Sequence, residues 1–159
     1  MICGLAGAGK STYGRKLAAE KSACFLDSDT VTEAVVRAGM VLGGLDPDDR
    51  DSQEYRAAFR EPVYECLFAT AAENLPHGEV VLVGPFTSEI RNPNWPQELE
   101  ERFETRVNFV FVSCDDEERK RRIEARGNPR DGLKLADWEA YLAGSDVRPP
   151  AFEQECLWS

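Results

Sequence analysis

The chain has 159 residues, 42% of them hydrophobic, which suits one domain with a sizeable core and gives no reason to divide residues 1–159. Its 29 acidic against 19 basic residues leave a net charge of −10, which argues against a protein that holds long nucleic acid through its general field. Five cysteines (Cys3, Cys24, Cys66, Cys114, Cys156) include no C-x-x-C pair and read as reduced core thiols. No apolar run approaches the ~18 residues of a membrane span and no charged-then-apolar leader is present, so no membrane partner and a cytoplasmic location are expected.

In chain order, Met1-Ile2-Cys3 reads as a strand, short for a central one, as if a few native residues were missing ahead of it. It opens into Gly4-Leu5-Ala6-Gly7-Ala8-Gly9-Lys10-Ser11, which fits G-x-x-x-x-G-K-[ST], the phosphate-binding loop. Glycines 4, 7 and 9 let the backbone turn, so that successive N–H groups and the next helix N-terminus can wrap an anionic phosphate chain. Lys10 would reach the β- and γ-phosphates, and the Ser11 hydroxyl would ligate Mg²⁺. From Lys10 to about Lys21, Tyr13, Leu17 and Ala18 share one helical face. Ala23-Cys24-Phe25-Leu26 reads as a buried parallel strand ending in Asp27-Ser28-Asp29, which puts both carboxylates at the sheet edge where ligands bind. Such a pair could divide metal support from orientation of an acceptor hydroxyl, or Asp29 could simply cap the next helix.

That helix is expected over Thr30 to Arg37, with Gly39 as its stop, and residues 43–51 read as a mobile loop or cap. A long helix follows from Ser52 to Leu75, kinked or split in two at Pro62. Glu79 to Val83 is the next strand, Thr87 to Pro96 a loop, Gln97 to Phe103 a short helix and Arg106 to Val112 a fourth strand. Asp115 to Arg126 is a charged helix with acids at its start and arginines at its end, which suits the helix dipole. A loop over 128–132, a helix from Leu135 to Leu142, a break at Arg148-Pro149-Pro150 and a fifth strand at Cys156-Leu157-Trp158 complete the chain. Strands alternating with helices predict a parallel, doubly wound α/β sheet.

The arginines divide by position. Arg119, Lys120 and Arg121 are expected in solvent, with Glu117 and Glu118 pairing to Arg121 and Arg122, whereas Arg126 and Arg130 are expected to touch ATP. A mobile arginine is a usual means of stabilising a transferring phosphoryl group. Arg56 and Arg60 could bind an anionic acceptor, or pair with Asp51 or Glu61 at the surface.

These segments resemble the small P-loop kinases that phosphorylate metabolite hydroxyls, a group including shikimate and gluconate kinases, antibiotic O-phosphotransferases and polynucleotide kinases. Phe25-Leu26-Asp27-Ser28-Asp29 looks like the shikimate kinase segment in which the first acid supports magnesium and the second meets the acceptor hydroxyl. Arg126-Gly127-Asn128-Pro129-Arg130-Asp131 with Lys134-Leu135 looks like the lid of the wider group. The resemblance implies a P-loop fold of five parallel strands in order 2-3-1-4-5, flanked by helices and carrying a lid. Adenine would pack between a lid arginine and the loop at 148–150. Nucleotide would be held by Gly4, Ala6, Gly7, Ala8, Gly9, Lys10, Ser11, Thr12, Arg126 and Arg130, and Mg²⁺ by Ser11 and Asp27. Lys10, Asp29 and Arg130 would be catalytic toward a small-molecule hydroxyl acceptor.

Two features depart from the group: Val80 to Val83 runs into Gly84 with no Walker B acid, and no shikimate kinase glycine triplet follows that strand. The second departure argues against shikimate as acceptor. A 5′-polynucleotide kinase shares the same parts, but the acidity counts against it. A nucleotide-sensing module without transfer is left open by the missing acid and opposed by Asp29 and the lid arginine.

Overall fold

The computed structural model describes residues 1–145 and 148–158. Its centre is a five-stranded sheet of β1 (Ile2–Cys3), β2 (Cys24–Asp27), β3 (Val80–Val83), β4 (Val110–Ser113) and β5 (Glu155–Trp158). Every pairing is parallel and the order is β2-β3-β1-β4-β5, as the resemblance implied. Helices α1 (Lys10–Lys21), α2 (Ser28–Leu42), α3 (Gln53–Asn74), α4 (Trp95–Phe103), α5 (Asp116–Arg126), α6 (Gly132–Ala136) and α7 (Trp138–Ala143) connect and cover the strands. Covering both faces is why the strands read as unbroken apolar runs.

Alternation along the strands divides the core in two. Leu82, Phe109 and Phe111 face a cluster with Leu67 and Phe68 of α3, Phe86, and Trp95 and Leu99 of α4. Val81, Val83, Val110 and Val112 face a second cluster with Ile2 and Ala18. Leu67 is fully buried in the first, so Leu67→Ala is expected to cost about 2–5 kcal/mol, read as a lower urea midpoint with an unchanged slope.

Tertiary contacts correct several boundaries. Gly39 does not stop α2, which runs on to Leu42 and ends at Gly43. Gly39 is where α2 meets α3: a Cβ there would lie 2.9 Å from the Phe59 ring. Nor does Pro62 divide α3. The helix is continuous, and both Pro62 and Ala58, whose carbonyl loses its partner, are exposed, so water can take that carbonyl. The fourth strand is shorter than expected, and α4 starts at Trp95. Cys3 and Cys114 are buried thiols, but Cys66 and Cys156 are exposed and Cys24 is half-buried, so the core reading holds for only part of the set. Of the loop expected at 148–150, the adjoining Asp146 and Val147 lie outside the described residues. Among the described residues no helix is long and apolar enough to cross a membrane.

Candidate active site

The loop between β1 and α1 packs so closely that side chains are excluded at two points. A Cβ on Gly4 would lie 2.2 Å from the Val112 carbonyl oxygen, and one on Gly7 2.8 Å from that of Arg119. Both residues have positive φ, +138° and +80°. The loop passes through left-handed Gly9 into α1 with no side-chain cap, so the first N–H groups of α1 remain available to an anion. Lys10 sits at this end and donates to the Leu5 carbonyl at 2.8 Å. Desolvation lowers its pKa to about 8, against the opposing pull of Asp29 and Asp27.

Asp27 is 6% exposed and joins two elements at the end of β2. One carboxylate oxygen accepts the Ser11 hydroxyl at 2.5 Å, and the other accepts the Asp29 N–H at 3.0 Å as the N-cap of α2. The helix cap is therefore Asp27, and the alternative that Asp29 caps is overturned. Ser11 and Asp27 form an all-oxygen pair, a donor set suited to Mg²⁺, which takes one or two protein ligands and fills its shell with phosphates and water. Among the described residues no cluster of three or more His, Cys, Asp or Glu could hold a metal ion without such help.

Asp29 lies in the first turn of α2 with its side chain 64% exposed, and its partner is Arg130, 101 residues away, at 3.3 Å. Arg130 occupies a 3₁₀ turn, Pro129–Asp131, capped by the Asn128 side chain. Its guanidinium also reaches Glu33 at 3.0 Å. Arg126 makes a bidentate pair with buried Asp131 at 2.6 and 2.7 Å, which fastens the base of this segment. The two acids at the strand end, Lys10, Ser11 and Arg130 thus converge above the carboxyl edge of the sheet.

Arg119 is the clearest correction. Expected in solvent, it is 2% exposed, donates to the Ala6 carbonyl at 3.2 Å and to Asp116 at 2.6 Å, and lies over the rings of Trp138 and Tyr141. Arg122, held by Glu118 at 2.6 Å, donates to the Ala8 carbonyl at 3.4 Å. Carbonyls of the loop are therefore engaged from the α5 side. The available signal was the four-residue spacing of Arg119 from Ile123, the apolar residue of α5 that is buried. Arg121 is exposed and pairs with Glu118, as expected. Arg60 is committed to Glu89 at 2.7 Å, and Arg56 lies 3.9 Å from Asp51, the surface pairing rather than an arrangement of free cations. Glu33 and Arg50, which meet at 3.2 Å beside Arg130, were not singled out from the sequence.

The AAA_33 family model, described as an AAA domain, matches residues 1–147. The chain belongs to this family. Three solved structures resemble this AAA_33 protein across 99% of its length. A kinase candidate from Chloroflexus aurantiacus aligns with a TM-score of 0.70 at 20% identity over 84% of its own chain. A sugar kinase from Janibacter sp. aligns at 0.59 and 17% over 82% of its chain, and a gluconokinase from Sinorhizobium meliloti at 0.55 and 18% over 79%. At these identities the likeness shows the fold alone, a five-stranded parallel P-loop domain. No curated protein matches the sequence.

Proposed function

We propose that this AAA_33 domain is an ATP- and Mg²⁺-dependent kinase that transfers the γ-phosphoryl group to a hydroxyl of a small molecule. The observation that carries the reading is the meeting of Asp29 and Arg130 beside the Gly4–Ser11 loop. It puts a candidate proton acceptor and a candidate charge stabiliser at one place, from opposite ends of the chain. Residues Gly4 to Thr12 bind the phosphates through backbone N–H groups, with Lys10 on the β- and γ-oxygens. Arg126 and Arg130 complete the nucleotide site. Ser11 and Asp27 hold Mg²⁺, which neutralises phosphate charge when bound.

Asp29 orients the acceptor hydroxyl and takes its proton as the new O–P bond forms and the bond to ADP breaks. Arg130 must share its charge between Asp29 and the transferring group, which keeps it next to the oxygens where negative charge is spread. Names among the structural neighbours, a sugar kinase and a gluconokinase, favour a polyhydroxy acceptor. The net charge of −10 disfavours nucleic acid. We place the single domain in the cytoplasm, where ATP is supplied.

An ADP-release assay over a panel of sugars, sugar acids and a 5′-hydroxyl oligonucleotide tests this. One small acceptor is expected to give ADP in step with a product heavier by one phosphoryl group. Turnover only with the oligonucleotide would make the protein a polynucleotide kinase. ATP binding without transfer to any acceptor would favour the sensing alternative, which the missing acid after Val83 supports.

A further inference from the structure

Glu33 lies one helical turn beyond Asp29 on α2 and takes no part in the chemistry above. Its Oε2 atom accepts Arg130 at 3.0 Å and Arg50 at 3.2 Å, and Oε1 lies 3.9 Å from Arg37. The Arg50 side chain is 8% exposed and that of Arg130 is 17% exposed. Two guanidinium groups this close repel one another, and with little water between them the shared carboxylate is what holds them together. Arg50 is otherwise bounded by the Met40 sulfur and the Tyr55 ring, and its Nε has no hydrogen-bond partner. A second tie runs parallel to the first: Lys134, 11% exposed, pairs with Asp51 at 2.9 Å.

The two ties join the same two segments. Arg130 and Lys134 belong to the lid, whereas Arg50 and Asp51 belong to the 43–52 segment between α2 and α3, the cap of the sequence reading. We propose that Glu33 is a positioning residue that couples lid to cap, so that a nucleotide drawing Arg130 toward its phosphates rearranges the 43–52 segment before any acceptor arrives. This rests on the nucleotide site proposed above. Arg130 cannot give its full charge to a phosphate and to Glu33 together. As it turns, Glu33 is left to Arg50 and to Arg37, which is itself bound to Asp48 in the cap, and the cap tightens. By linkage, an acceptor that engages the tightened cap raises nucleotide affinity by the same factor.

Hydrogen exchange on the full chain, with and without a non-hydrolysable ATP analogue and Mg²⁺, tests the coupling, with calorimetry on the same samples. In the wild type the analogue is expected to slow the amides of residues 46 and 48–52 by about fivefold or more, alongside those of the lid. In Glu33→Gln the analogue still binds and slows the lid, but the cap no longer responds. Faster cap exchange to the same degree in both states would mark a merely structural role and overturn the proposal. Asp51→Asn cuts the second tie at the rim and keeps the test available if Glu33→Gln does not fold. It should weaken the cap response, and a full wild-type response in it would equally overturn the coupling. A wild-type cap indifferent to bound analogue overturns the coupling alone, whereas an analogue that does not bind the wild type overturns the nucleotide site itself.

Discussion

Lys10→Ala is expected to lower phosphoryl transfer by ~10²-fold or more, the scale for removing one preorganised donor from a developing charge, while the fold is retained. The side chain lies at the end of the loop, with its ammonium on the Leu5 carbonyl, and the core packs without it. Stability should respond in the opposite sense to activity. Desolvation lowers the Lys10 pKa from 10.5 to about 8, so holding the ammonium charged in the folded state is unfavourable. Below about pH 8 the lysine is protonated in both folded and unfolded chains, and the penalty is present in full. Between about 8 and 10.5 the unfolded chain retains a proton that the folded chain has released, so wild-type stability rises with pH relative to the alanine variant. Melting temperatures of the two proteins from pH 7 to 10.5 check this. The variant should be the more stable at pH 7, and the gap should close toward the alkaline end. Unaltered turnover would remove Lys10 from the phosphate site, and a gap that widens with pH would contradict the assigned cause of the shift.

Asp29→Asn separates a kinase from a nucleotide binder. Asn keeps the shape of the side chain and removes its charge. Because Asp27 caps α2, the substitution leaves the cap in place, and with a side chain 64% exposed it should move stability by no more than about 0.5 kcal/mol. ATP affinity should be nearly unchanged, since the proposed nucleotide site holds the phosphates through the loop rather than through Asp29. Turnover with the acceptor is expected to fall by ~10²-fold or more, the usual scale for a positioned general base. The measurement is kcat together with the nucleotide Kd for this single variant. Retained turnover would refute the proton-accepting role, and loss of nucleotide binding would show that Asp29 serves the phosphate side instead.

Much of this was legible along the chain because it is local. The loop from Gly4 to Ser11 is defined by glycines whose positions answer contacts at 2.2 and 2.8 Å, and the apolar runs at 24–26 and 80–83 mark strands that pack against neighbours on both faces, half-buried at their first residues. The acids at 27 and 29 follow one of those runs directly, so their place at the carboxyl edge needed no long-range information. What only the tertiary structure decided is which charges meet. Arg119 and Arg121 share one charged stretch, yet one is buried under Trp138 and Tyr141 and the other is in solvent, because α5 turns a single face inward. Gly39 carries the local signature of a helix end, yet α2 continues through it to Leu42 and the Phe59 ring packs against it. Asp29 and Arg130 are 101 residues apart, and Glu33 gathers arginines from two further segments. Periodicity reports how a side chain relates to its own element, whereas an ion pair in a poorly screened site depends on where the fold brings a second element.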